Sequence, residues 1–157
     1  MAKYATMRPY GPTVLRLCVG AVFVGHGAQK LFGFWGGPGL AGTTAFFTSL
    51  GMPFPYPLAV LVAVTEFAGG ALLLLGGLTR WAALALAIDM VVAIWKVHYT
   101  NGFFLNARGG QGSEFAIVLL GALICLMMTG PGALSWDEWR DSSAEAMRAG
   151  RARARKV

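Results

Sequence analysis

The sequence contains little charge for its length. Only 13% of its 157 residues are Asp, Glu, Lys or Arg, whereas a soluble domain carries about a quarter. Hydrophobic residues make up 56% of the chain and its mean hydropathy is +0.59, which predicts an integral membrane protein. At about 20 residues per transmembrane helix only about three to five spans fit, and this excludes large transporters, extended catalytic domains and most nucleotide enzymes.

Cysteine and metal-binding motifs are also scarce. The two cysteines, Cys18 and Cys125, lie in separate apolar runs, so the sequence has no CxxC redox pair or disulfide framework. No cluster has the ligand spacing of a zinc site, and the glycine-rich stretches lack the Lys-Ser/Thr of a phosphate-binding loop. His26 and His98 lie on separate predicted helices at different estimated depths, which argues against a haem between them. We therefore predict no metal site.

Basic residues are concentrated at the two ends of the chain. Residues 1–16 contain Lys3, Arg8 and Arg16 and no acid, while residues 137–157 contain six basic and four acidic residues. Basic ends around an apolar middle are typical of the cytoplasmic face of a membrane protein and do not indicate a nucleic-acid groove. We interpret the tail as a segment that contacts anionic lipid; docking of a partner protein is the alternative.

Four apolar segments are long enough to cross a bilayer, at about residues 13–32, 57–76, 79–99 and 114–130. The last of these should end at Gly130-Pro131-Gly132, because proline and glycine do not extend a helix. We predict an all-α integral membrane four-helix bundle. Residues 1–139 form its single domain, and residues 140–157 form a basic cytoplasmic tail.

The distribution of lysine and arginine outside the spans predicts the orientation. The N-terminus, the turn at Arg80 and the basic tail belong on one side, which leaves only Arg108 in the two opposite loops. The positive-inside rule therefore places both termini in the cytoplasm, as an even number of spans requires. After the fourth span, Ser135 and Glu138 have the spacing of a capping box, so a cytoplasmic helix should start there.

One of the predicted outer loops is long, uncharged and aromatic. Residues 31–65 contain no charged residue but many aromatic side chains among glycine and proline. Within this loop the pattern predicts a short interfacial helix over residues 40–50, followed by a proline-rich return. We expect a lid over the outer end of the bundle; the alternative is an aromatic belt that anchors the helices in the membrane.

Ionisable residues inside the spans are the candidates for chemistry, because each costs at least about 2.5–3.5 kcal/mol at mid-bilayer. At about 1.5 Å rise per residue, His26, Glu66 and Asp89 lie about 10, 13 and 15 Å inside the outer boundary. Lys30 and Lys96 lie about 4 Å inside the same boundary. The polar groups of all four helices therefore gather in the outer half, and the inner half is almost purely apolar.

Helical spacing places several of these groups on shared faces. His26 and Lys30 are four residues apart, and Asp89 and Lys96 are separated by nearly two turns. A buried ion pair of Glu66 with Lys30 or Lys96 is expected, because an unpaired buried charge would cost more. The candidate catalytic residues are Glu66, His26 and Lys30. The candidates for contact with the substrate are Gln29, Asp89, Lys96, Glu114 and Trp35.

Each candidate also has a structural explanation. Near the boundary, side chains can extend their charged ends to the interface, and this applies to Lys30, Lys96, His98 and Glu114. Glu66 and Asp89 are too deep for that, and for them the alternative is an ion-pair network that locks the helices. His26 could be a core histidine bonded to Gln29 or to a neighbouring carbonyl.

Several short motifs between about residues 12 and 139 together resemble the DoxX family of membrane proteins. They are His26-Gly-Ala-Gln29-Lys30-Leu-Phe-Gly33, Gly-Leu-Ala-Gly-Thr-Thr-Ala-Phe-Phe at 39–47, Glu66-Phe-Ala-Gly69-Gly70, Leu78-Thr79-Arg80, Gly102-Phe-Phe, Glu114-Phe115 and Gly130-Pro131-Gly132. The resemblance implies a four-helix protein of the bacterial inner membrane that associates with oxidoreductase complexes. Related DoxD proteins are subunits of thiosulfate:quinone oxidoreductase, and actinobacterial members are linked with a sulfurtransferase and a superoxide dismutase.

Three functions are compatible with these residues. The first is a quinone-linked oxidoreductase subunit that binds menaquinone or ubiquinone in an outer-half pocket and receives electrons from a partner or a thiol substrate. The second is a non-catalytic anchor that assembles soluble redox enzymes. The third is a small transporter or channel, against which the apolar inner half argues. A homo-oligomer is compatible with each of the three.

Overall fold

The computed structural model describes residues 9–105 and 112–154, which form helices and connecting turns without a strand. The helices are α1 (Tyr10–Phe32), α2 (Gly39–Ser49), α3 (Pro55–Leu75), α4 (Thr79–Ala93), α5 (Glu114–Thr129) and α6 (Trp136–Ala154). Beyond α4 the chain continues through a π-helical turn, Ile94–His98, and a 3₁₀ turn, Tyr99–Asn101. The predictions that concern Lys3, Arg8, Arg108, Arg155 and Lys156 lie outside the described residues.

The expected membrane bundle is confirmed in its helices. Three of them are long and apolar enough to cross a membrane, namely α1, α3 and the continuous segment Thr79–Asn101, while α5 is a shorter apolar helix of 16 residues. α3 begins at Pro55 because a proline in the first turn loses no helical hydrogen bond. It ends at Gly76, whose left-handed φ of 68° favours glycine.

The closest helix contact joins α1 to α3. A Cβ atom on Gly27 would lie 2.4 Å from the backbone nitrogen of Phe67, and one on Gly70 would lie 2.7 Å from that of Val24. These glycines let two helix backbones approach each other closely, as small residues do at membrane-helix interfaces. The remaining helices pack in chain order around a core that contains Val19, Phe23, Leu73, Leu86, Met90, Leu119, Leu123 and Leu126.

Arg16 lies in the core at one end of the bundle. It is only 2% exposed, although the sequence analysis counts it with the basic N-terminal residues of the cytoplasmic face. The guanidinium donates to four carbonyl oxygens, those of Leu73 (3.0 Å), Leu74 (2.5 Å), Pro131 (3.0 Å) and Leu134 (2.7 Å). We call this the Arg16 end, and the opposite end, where α1 finishes, the Lys30 end. The Arg16 end is therefore less apolar inside than the sequence predicts.

The start of α6 is fastened to the Arg16 end. The Asp137 carboxylate accepts hydrogen bonds from the backbone nitrogens of Leu78 and Thr79, both at 2.9 Å. The Ser135 hydroxyl accepts one from the nitrogen of Glu138 at 3.1 Å, which confirms the predicted cap. The basic turn at the start of α4 and the start of α6 thus share one end, as the charge distribution predicts. Which side of the membrane this end faces stays a prediction.

The short helix expected over residues 40–50 is present as α2. Thr43 and Phe47, one turn apart, are the buried residues of this helix, while Phe46 is exposed. α2 packs against α1 and α3 at the Lys30 end. It therefore occupies the position of the predicted lid.

Replacing Arg16 with methionine should lower the free energy of unfolding by at least about 2 kcal/mol, because each buried carbonyl left without a donor costs about 1–3 kcal/mol. Unfolding of the full chain in mixed micelles, titrated with a denaturing detergent, measures this loss. Arg140→Met is the matched control, since its guanidinium is exposed and pairs with Asp141 at 3.3 Å. Exposed pairs contribute up to about 1 kcal/mol. Equal losses in the two variants would contradict the structural role of Arg16.

Candidate functional site

Lys30 and Glu66 form an ion pair between α1 and α3. The Lys30 ammonium donates to Oε2 of Glu66, the first of the two pairings that the sequence allows. The side chain of Glu66 is only 5% exposed and that of Lys30 is 25% exposed. The glycine contact described above brings the two helices close enough for this pair to form. Each charge compensates the burial of the other.

Asp89 on α4 lies beside this pair. Its carboxyl group interacts electrostatically with both Glu66 and Lys30, and it lies close enough to the Glu66 carboxyl group for a hydrogen bond between the two when one of them holds a proton. The Oδ2 atom is fully buried and receives no hydrogen bond from any residue in the described part of the chain. Buried polar atoms nearly always have a partner, so this oxygen requires one from outside the chain or a bound proton. The cluster thus contains two carboxyl groups and one ammonium group.

His26 stands at the edge of the cluster, one helical turn before Lys30. Its side chain is exposed, and it interacts electrostatically with Lys30 and Glu66. Within residues 9–105 and 112–154 no group forms a hydrogen bond to its ring. The described residues therefore show neither a bond to Gln29 nor one to a neighbouring carbonyl, the two partners expected for a core histidine.

An open cavity of about 630 Å³ lies next to the cluster and is lined by residues of α1, α2, α3, α4 and α5. Its polar wall consists of His26, Gln29, Lys30, Glu66 and Asp89. The other walls are mostly apolar and include Phe23, Phe46, Phe47, Met52, Met90, Phe115 and Leu119. Ligand sites typically combine a volume of about 300–1,000 Å³, apolar walls and a few convergent polar groups.

Lys96 lines the cavity but takes no part in the ion pair. Its ammonium lies over the ring of Trp95, 4.1 Å from the ring centroid. The helix here changes to the π-helical turn Ile94–His98, and Lys96 still lines the same cavity as Asp89, as the predicted stripe requires. His98, near the end of this turn, also lines the cavity. A π turn beside a polar cavity is a common feature of functional sites.

Two predicted contact residues lie outside the cavity lining. Glu114, at the start of α5, accepts a hydrogen bond from the backbone nitrogen of Leu105 at 2.8 Å and so fastens the loop to α5. Trp35 is 75% exposed and meets Phe34 edge-on, with 5.7 Å between the ring centroids. Its left-handed φ of 52° turns the chain between α1 and α2.

The sequence analysis missed the contribution of α2 to the cavity. Pro38, Gly42, Thr43, Phe46 and Phe47 all line it. Thr43 and Phe47 are four residues apart, and that helical spacing is the signal that could have identified the inner face of α2. In the described part of the chain, no group of three His, Cys, Asp or Glu side chains could hold a metal ion.

The sequence profile of the DoxX family matches residues 11–99, which contain α1 to α4 and with them the whole ionisable cluster. The chain belongs to the DoxX family. Its resemblance to DoxX proteins, noted from the short motifs, is thereby confirmed. No solved structure shows significant similarity to this DoxX protein.

Relatives of this DoxX protein match most of its length. An uncharacterized membrane protein of Mycobacterium tuberculosis is 39% identical over 140 residues, which cover 84% of this chain and 82% of the relative. The inner membrane protein YphA of Escherichia coli is 31% identical over 137 residues, or 85% and 93% of the two chains. CatD of Bacillus subtilis, provisionally named an oxidoreductase, is 33% identical over 127 residues, or 81% and 84%.

Lys30→Met should lower the free energy of unfolding by about 3–5 kcal/mol, because it leaves the buried Glu66 carboxylate without its cation. The double variant Lys30→Met/Glu66→Leu should recover most of that loss, since it removes both charges together. Unfolding of each full-length variant in mixed micelles measures the difference.

Lys96→Met is the matched control for this series. Its ammonium contacts only the Trp95 ring face, an interaction that contributes about 0.5–1 kcal/mol at exposed sites. The single variant Glu66→Leu completes the series. If the double variant loses as much stability as Lys30→Met and Glu66→Leu lose in sum, Lys30 and Glu66 do not stabilise the bundle as a pair.

Proposed function

We propose that this DoxX protein is the membrane subunit of a redox complex and that it binds a quinone in the cavity beside Lys30 and Glu66. The observation that supports this most is the buried Asp89 Oδ2 atom, which has no partner in the described chain and lies in a polar wall facing apolar walls. A quinone headgroup requires an apolar slot and a few hydrogen-bonding groups. The cavity contains both, and its volume of about 630 Å³ suits such a ligand.

The residues of the polar wall have separate tasks in this proposal. Lys30 donates to Glu66 and keeps its carboxylate in place. Asp89 holds or moves a proton at Oδ2, where no protein donor among the described residues competes. His26, exposed at the edge of the cluster, can donate to or accept from a ligand oxygen.

A bound quinone would supply two-electron chemistry, since it takes up two electrons and two protons to give the hydroquinone. The chain itself contains no evident redox centre, so the electrons would come from a partner protein or from the oxidation of two thiols to a disulfide. Such partners would be soluble sulfurtransferase-like or superoxide dismutase-like enzymes. The name given to CatD describes that protein as an oxidoreductase, which agrees with a redox role here.

The proposed location is the bacterial inner membrane, with several spans and both termini in the cytoplasm. The naming of YphA as an inner membrane protein supports the location. With this orientation the Lys30 end and its cavity lie in the outer half of the membrane. Menaquinone and ubiquinone both have headgroups of suitable chemistry.

A non-catalytic anchor is the second candidate, and α6 favours it. This helix of 19 residues continues beyond the spans from the Arg16 end. It carries acidic side chains in its first turn and arginines further along, so it offers charges of both signs to a soluble enzyme. In an anchor, the Lys30–Glu66 pair would serve stability alone.

Quinone binding to the purified full chain in lipid nanodiscs tests the proposal. We expect wild type to bind a long-chain naphthoquinone or benzoquinone. Asp89→Asn and the charge-free variant Lys30→Met/Glu66→Leu should bind it at least about 10-fold more weakly, because the loss of one charge-assisted hydrogen bond removes about 1.5–3 kcal/mol.

Trp35→Ala is the matched control and should bind like wild type, since Trp35 lies outside the cavity lining. Absence of quinone binding in wild type, together with retention of soluble enzymes on the intact protein, would overturn the quinone proposal in favour of the anchor.

A further inference from the structure

We infer that the cavity receives its ligand sideways from the bilayer, through a gap between α1 and α5 at the Lys30 end. The ligand class is a membrane-dissolved amphiphile whose polar head reaches the cluster while its long apolar tail stays in the gap. This inference rests on the proposed function, because it selects quinones with a long tail over water-soluble quinones. We call the gap the lateral portal.

Hydrogen bonds join α1 to the turn that follows α5 at the Arg16 end of the bundle. At the Arg16 end the Thr13 hydroxyl donates to the Ala133 carbonyl at 2.7 Å, and Arg16 donates to Pro131 at 3.0 Å. Towards the Lys30 end no hydrogen bond joins α1 to α5 in the described residues, and α1 packs much more extensively against α3 than against α5. The described hydrogen bonds between α1 and the end of α5 therefore lie at the Arg16 end, away from the cavity.

We place Gly25 on the α1 side of the lateral portal. Val22, Gly25 and Gln29 share one stripe of the helix. Val22 packs against the core and Gln29 lines the cavity, yet a Cβ atom on Gly25 would have no neighbour within 4 Å. On the opposite face a Cβ on Gly27 would collide with the backbone of α3. The half-buried Gly25 thus faces open space between two positions that face the bundle.

His26 and Phe115 border the lateral portal, one on each helix. Both side chains line the cavity and both are exposed, with Phe115 at 46%. His26 lies six residues before the end of α1, or about 9 Å into the membrane at about 1.5 Å per residue. An imidazole facing hydrocarbon at that depth is costly unless a polar group reaches it. The head of an amphiphile passing the portal supplies such a group.

α2 and two loops cover part of the water-facing end of the cavity. α2 lies across the Lys30 end, where its buried residues Thr43 and Phe47 line the cavity. Met52 and Leu105 add apolar side chains from the two loops at that end. A water-soluble ligand would have to pass this apolar cover, whereas a lipid-soluble one reaches His26 directly from the hydrocarbon.

Substitution at Gly25 tests the lateral portal without disturbing the cluster. Gly25→Trp fills the gap and Gly25→Leu fills it partly, and neither Cβ meets an existing atom. Gly121→Trp is the matched control, because Gly121 also faces open space but lies on the exposed side of α5. The probes are 2-methyl-1,4-naphthoquinone without a tail and the same ring with a tetraprenyl tail, bound to the full chain in nanodiscs.

In wild type and Gly121→Trp we expect the tailed quinone to bind at least 10-fold more tightly than the tailless one. Gly25→Trp should abolish this preference, and Gly25→Leu should reduce it. Equal binding of both quinones, unaffected by either Gly25 substitution, would overturn the inference.

A nitroxide label at Gly25→Cys tests the portal independently of any quinone, in a chain with Cys18→Ala and Cys125→Ala. The label should be relaxed by oxygen dissolved in lipid and not by an aqueous nickel complex. A second chain, with Cys18→Ala and a label on the exposed native Cys125, gives the reference for a lipid-facing position. Equal access of the nickel complex would overturn the portal. Lipid access without binding of either quinone would sustain the portal and reject the proposed quinone function.

Discussion

Within the hydrocarbon of a membrane, Lys30 and Glu66 stabilise the bundle only as a pair, because either charge alone would cost several kcal/mol to bury. The pair requires α1 and α3 to lie close together, and Gly27 and Gly70 permit that approach. Once the pair is fixed, the carboxyl group of Asp89 on α4 becomes the group without a counter-charge. In the proposed function, Asp89 is therefore the group that holds or moves a proton.

The buried polar groups at the two ends of the bundle differ in whether they have hydrogen-bond partners. At one end the Arg16 guanidinium satisfies four carbonyl oxygens and leaves little space around it, so that end is a fixed support. At the other end the polar groups line a cavity of about 630 Å³ and one carboxyl oxygen has no partner in the described chain. A rigid end and an open end together suit a protein that binds a ligand from the membrane.

The helices could be predicted because their lengths and ends depend on residues close together in the sequence. Examples are the apolar runs, the prolines at the start of α3 and the Ser135 cap. The pairing of Glu66 with a lysine also followed from the cost of burial. Arg16 could not be predicted, since a basic residue near a terminus has the same local pattern whether it is a flank or a core residue. Trp35 lies outside the cavity because of a left-handed backbone angle, which has no sequence signature at a tryptophan.

Native mass spectrometry of the protein extracted in mild detergent from its own membrane tests most directly whether the cavity is a ligand site. The account predicts a retained small molecule with the mass of a long-chain quinone, in wild type but not when the Lys30–Glu66 pair is replaced by apolar residues. Phospholipid alone, retained equally by both proteins, would contradict it and would leave the ionisable cluster with a structural role only.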